Sequence, residues 1–195
     1  MINRYAHRDE YTYPNSSVLR NKAGHLTQEA LDQFERLSVT NRMIEGLPEG
    51  NFDYPHLKAI HWHLFQDVYD WAGKERNVSI SKGGSLFAIP CFIGENVTAI
   101  LNSLTTEDRL RTVTAKQFVE QMAYYAIELN VAHPFREGNG RAIRSFISLL
   151  AQNAGYGISE EMLKEGWLKA CIQGMSDNGL CMQNTLAQAL VIFED

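Results

Sequence analysis

Apolar side chains recur along this chain at steps of three and four, which predicts helices over most of its length. Leu57, Ile60, Leu64, Val68 and Trp71 mark one buried helical stripe that Gly73 closes. Phe118, Met122, Tyr125 and Leu129 mark a second, which opens on Thr114-Ala-Lys-Gln117, the spacing of a capping box. Ile143, Phe146, Ile147 and Leu150 predict a third core face. Leu186, Ala189, Leu190 and Phe193 predict a last one. Thr27 suits the cap of a helix running to about Ile44, Ser159 caps a short helix before Met175, and residues 95–104 fill another. The pattern changes once: residues 77–81 and 86–88 flank Lys82-Gly83-Gly84-Ser85, and paired glycines in such a place signal a β-hairpin. Residues 1–25 are turn-rich. The expectation is a mainly α domain spanning residues 1–195, with one hairpin at 77–88 and a helix–loop–helix core at 114–152.

Bulk properties narrow the picture only slightly. With 45% hydrophobic residues, 195 positions supply one sizeable core. A formal charge of −5 argues against nucleic-acid or acidic-membrane binding, although a nucleotide pocket needs only local positive charge. Cys91, Cys171 and Cys181 are odd in number and widely spaced, so they read as free thiols. The polar first fourteen residues do not read as a secretion signal, and no apolar run reaches membrane-span length. A bacterial cytoplasmic protein is expected.

The densest chemistry lies between His133 and Arg144, in His-Pro-Phe-Arg-Glu-Gly-Asn-Gly-Arg-Ala-Ile-Arg. His133 is a titratable base at the end of a predicted helix, and Glu137 is a hard oxygen ligand of the kind Mg²⁺ accepts. Gly138, Asn139 and Gly140 permit a turn whose N–H groups gather an anion at the next helix's N-terminus. Arg141 and Arg144, three apart, share one side of that helix and can reach phosphate oxygens together. The combination suits a polyphosphate held with its cation beside an activated hydroxyl.

This segment resembles the signature of the Fic family, His-x-Phe-x-(Asp/Glu)-Gly-Asn-Gly-Arg-x-x-Arg, at every specified position. The resemblance implies the Fic fold, a helical bundle around the motif with a β-hairpin flap beside it. It also implies a protein adenylyltransferase that moves AMP from ATP, with Mg²⁺, to a Tyr, Ser or Thr hydroxyl. His133 would be the base and Glu137 the metal ligand. Gly138, Asn139 and Gly140 would form the anion hole, with Arg141 on the β-phosphate and Arg144 on the γ-phosphate. Asn130 would edge the nucleotide pocket. The flap would comprise Ile80, Ser81, Gly83, Gly84, Ser85, Leu86, Phe87 and Ala88, and its exposed edge would pair with a strand of the target. Lys82 is either a phosphate contact or a solvated turn lysine.

Other features bear on the same resemblance. His61 and His63, two apart on a helix, point away from one another and do not suit a shared metal. Tyr124, Tyr125 and Tyr156 read as core or pocket-wall aromatics. Many Fic proteins carry an inhibitory helix with the pattern (Ser/Thr)-x-x-x-Glu-(Gly/Asn). Here Glu45, Glu49, Glu95, Glu137 and Glu165 precede Gly or Asn, and none has Ser or Thr four positions earlier. The chain therefore resembles the class silenced by a separate small antitoxin, which includes secreted effectors. Such relatives suggest type II DNA topoisomerases or host small GTPases as targets. Fic enzymes that transfer UMP, phosphate or phosphocholine, and a binding-only nucleotide module, are the alternatives.

Overall fold

The computed structural model describes residues 9–82, 85–174, 176 and 178–192. Its elements in order are α1 (Gln28–Ile44), α2 (Tyr54–Phe65), β1 (Ser81–Lys82), β2 (Ser85–Leu86), α3 (Ile93–Thr106), α4 (Ala115–Ala132), α5 (Asn139–Asn153), β3 (Tyr156–Ile158), α6 (Glu160–Gln173), α7 (Leu180–Ala189) and β4 (Leu190–Ile192). The centre is α4, which packs against α3, α5 and α7. Helix α2 joins α1 to α5, and α6 lies on α7.

Local chemistry accounts for the starts of these helices. The Thr27, Asp53 and Ser159 side chains accept from the N–H groups of Ala30, His56 and Met162. Thr114 and Gln117 form the reciprocal capping box that opens α4. Phe118, Met122 and Leu129 of α4 meet Ile143, Phe146 and Leu150 of α5 in one core with no solvent exposure, each side chain contributing about 1.5–3 kcal/mol by burial.

Several expectations need correction. The 57–71 stripe is not one helix: α2 ends at Phe65, and Val68 and Trp71 pack from the turns beyond. Leu190 does not continue α7 but starts β4, which pairs antiparallel with β3 in the register Tyr156↔Ile192 and Ile158↔Leu190. A second two-stranded sheet therefore joins the hairpin, since three-residue strands are too short to show a period of two. Tyr125 is buried as expected, whereas Tyr124 is exposed. The hairpin itself is shorter than its pattern: Ser81 pairs with Leu86 and Lys82 with Ser85, so Lys82 is a strand residue rather than part of the turn. Gly83, Gly84, Met175 and Phe193 lie outside the described residues.

Candidate active site

Helix α4 delivers His133 as its C-cap in a left-handed conformation (φ 45°, ψ 60°), and the loop then runs through Pro134 to the start of α5. His133 is buried, and its Nδ1 lies 2.9 Å from the Asn130 carbonyl. A carbonyl only accepts, so in the neutral ring Nδ1 carries the proton and Nε2 the lone pair. The Phe87 ring stacks on the imidazole at 3.8 Å between centroids, with 15° between planes. Burial, aided by the charges of Arg76 and Lys82, pushes the His133 pKa down to about 3 against the bond to Asn130.

The rest of the loop is stapled from inside. Asn139 is buried, with Oδ1 accepting from the Phe135 N–H at 2.8 Å and Nδ2 donating to the Phe135 carbonyl at 2.6 Å. Its side chain thus shapes the loop. Asn130 acts through its carbonyl on His133. Gly138 has φ +83°, and a Cβ there would come within 2.3 Å of the Phe65 ring, so any side chain strains the backbone and forces the ring or the loop to shift. At the start of α5 the Arg141 and Ala142 N–H groups bond the Gly138 carbonyl at 3.1 and 3.0 Å, while Asn139 and Gly140 precede the first carbonyl of the helix ladder, as at any helix N-terminus.

Glu137 keeps its carboxylate at the loop mouth, with Oε1 accepting from the Gly138 N–H at 3.0 Å and lying 3.9 Å from Arg141. One such oxygen donor, completed by phosphates and water, fits Mg²⁺, which needs few protein ligands. Among the described residues no group of three His, Cys, Asp or Glu gathers as a metal cage. His61 is tied into the structure instead. It donates from Nε2 to the Glu137 carbonyl at 2.9 Å and accepts on Nδ1 from Gly73 at 2.8 Å, under Phe135. Burial lowers its pKa to about 3, which keeps it neutral.

The two arginines differ. Arg141 donates to Glu35 at 2.7 Å and lies over the Phe65 ring. Arg144 lies over Trp167, and burial lowers its pKa below the usual arginine range. It lines a groove of about 360 Å³ with Arg36 and Thr40 of α1, Ser145 of α5 and Glu160 and Lys164 of α6.

Of the flap residues, Ile80 and Phe87 are buried and pack together with Val78. Their side chains anchor the flap's base and are unavailable to a target. Ser81, Lys82 and Ala88 are partly buried, and Leu86 is 63% exposed.

Three charged residues escaped the sequence reading. Glu35 is 1% exposed and also accepts a short bond from the Tyr69 hydroxyl. Arg136 pairs with Asp9 at 2.9 Å, which ties the N-terminal segment to the loop. Arg76 sits 2% exposed beneath the flap. Their neighbours gave no signal: Arg76 follows Lys74 and Glu75, Glu35 stands beside Arg36 and Arg136 beside Glu137, so each looks like an ordinary solvated charge.

The Fic/DOC family profile matches residues 51–151. A probable protein adenylyltransferase of Sinorhizobium fredii, y4lH, is 38% identical over 90% of this chain and 93% of its own length. The probable protein adenylyltransferase Fic of Escherichia coli is 38% identical over 84% and 82%. The structure of BepC, a Bartonella tribocorum effector with bound AMPPNP, superposes with a TM-score of 0.86 at 27% identity, over 94% of this chain and 97% of that one. The chain belongs to the Fic/DOC family. Its activity is that of a protein adenylyltransferase.

Proposed function

We propose that the chain transfers AMP from ATP to a Tyr, Ser or Thr hydroxyl of a protein docked on the β1–β2 edge. The observation that carries this reading is the His133 Nδ1 bond to the Asn130 carbonyl, which leaves Nε2 as the proton acceptor. The AMPPNP held by BepC supports ATP as donor.

In this reading His133 Nε2 takes the hydroxyl proton as the oxygen attacks the α-phosphorus. The new O–P bond forms as the bond to the β-phosphate bridging oxygen breaks, and pyrophosphate departs. Negative charge brought by the triphosphate raises the His133 pKa from its buried value and makes it a better base. The α5 first-turn amides and Arg141 hold the α- and β-phosphates, Arg144 holds the γ-phosphate, and Lys82 closes over them from the flap. Mg²⁺ held by Glu137 would offset phosphate charge and favour the leaving group. Rate comes from placement and charge rather than from a covalent enzyme intermediate.

The groove beside Arg144 receives a glutamate from a separate small antitoxin helix, since the chain has no inhibitory pattern of its own. Incubation with α-labelled ATP, Mg²⁺ and a bacterial lysate is expected to label a protein, and His133→Ala is expected to remove the band. A band of equal strength in the variant would reject His133 as base. No label with the wild-type chain would reject the transfer.

A further inference from the structure

We propose that Arg76 is a positioning residue that joins the flap and His133 into one unit, so that target docking and base placement are mechanically linked. For its catalytic consequence this rests on the transfer reaction above. The geometry carries it. Arg76 Nε donates to the His133 carbonyl at 2.8 Å, Nη1 to the Val78 carbonyl at 2.7 Å, and Nη2 to the carbonyls of Ala88 at 2.6 Å and Ala132 at 3.3 Å. Its backbone N–H adds a bond to the Pro134 carbonyl at 2.9 Å. One residue thus bonds the end of α4, the catalytic loop and the chain on both sides of the hairpin.

Three physical points make this more than packing. The carbonyls at the end of α4 lack intrahelical partners and carry the negative end of the helix dipole, so a buried cation is favoured there. His133 holds a left-handed backbone that non-glycine residues seldom adopt, and the bond to its carbonyl helps keep it there. The flap is fastened to the same place twice more, by the Ala88 N–H to the Val131 carbonyl at 3.1 Å and by Phe87 stacked on the His133 ring. A strand added to the flap edge therefore pulls on a frame that includes the base. A planar fork reaches carbonyls in several directions, and a lysine ammonium does not.

The test uses the whole chain and the variants Arg76→Lys and Arg76→Gln. In the wild type, stacking on Phe87 is expected to shift the His133 ring protons upfield, and His133→Ala assigns them. Both Arg76 variants are expected to lose much of that shift, while the His56 signals, set by Phe52 and Phe146, stay in place. Transfer to protein is expected to fall on the order of 10²-fold in kcat, with KM for ATP moved by less than about twofold. An unchanged His133 shift, or wild-type transfer, overturns the proposal. Loss of the His56 pattern in both variants also overturns it, because Arg76 would then merely hold the fold. If the wild type transfers nothing yet the His133 signals move as described, the transfer reading fails and the linkage stands.

Discussion

At one end of the catalytic loop His133 is sealed: a carbonyl fixes its tautomer, Phe87 covers one face, and Arg76 holds its backbone. At the other end Arg144 borders a groove of about 360 Å³ between α1, α5 and α6. Arg141 lines the same groove but is tethered to Glu35, with its side chain 26% exposed. The difference follows from the demands on each group. A base must be aimed before its substrate arrives, because misplacement of about 1 Å is costly. Phosphate ligands must stay open, because the charge they neutralise enters from solution. The protein spends its buried polar bonds on the first and leaves the second to the ligand.

The comparison breaks most visibly at the base. His133→Ala is expected to lower transfer by about 10²–10⁴-fold while nucleotide affinity, measured by calorimetry, changes little. Equal loss of binding would show that the two ends are not separable. Acid provides the next largest effect. Unfolded histidines take a proton near the ordinary value of 6.5, whereas folded His133 and His61 stay neutral down to about 3. The unfolded chain binds more protons within that window, so stability is complete above about pH 6.5 and falls as pH drops toward 3. The slope approaches ~1.4 kcal/mol per pH unit for each histidine. Denaturation midpoints at pH 7 and pH 5 measure it, and a flat profile would contradict the burial.

Gly138→Ala tests the hinge between the two ends. A Cβ against Phe65, on a backbone with φ +83°, is expected to cost about 1–3 kcal/mol in a urea titration. The mildest change sharpens the phosphate side. Glu35→Gln removes the charge that holds Arg141, and KM for ATP is expected to rise about tenfold with a smaller change in kcat. An unchanged KM would show that Arg141 needs no tether.

The motif and the helices around it were legible because their signals are local. Thr114 and Gln117 are a capping pair wherever they occur in that spacing, and the faces of α4 and α5 repeat over several turns. The expectations that failed were short or non-local. Val68 and Trp71 kept the three-four spacing by accident after the helix had ended, and β3 and β4 are each three residues long and far apart in the chain. Asn139 shows what spacing leaves open: its place in the motif was plain, but the bonds by which its side chain staples both polar groups of Phe135 are visible only in the folded loop.

By itself the order of residues determined that a histidine, a carboxylate, a glycine turn and two arginines would meet, because they are neighbours on one loop and one helix turn. Only the tertiary structure decided how each is held. Arg76, Glu35 and Phe87 come from other segments, and nothing near them in the chain says what they will touch. Burial among those partners is what keeps His133 neutral, tethers Arg141 and leaves Arg144 on an open groove, since desolvation and bond geometry exist only once distant segments pack together.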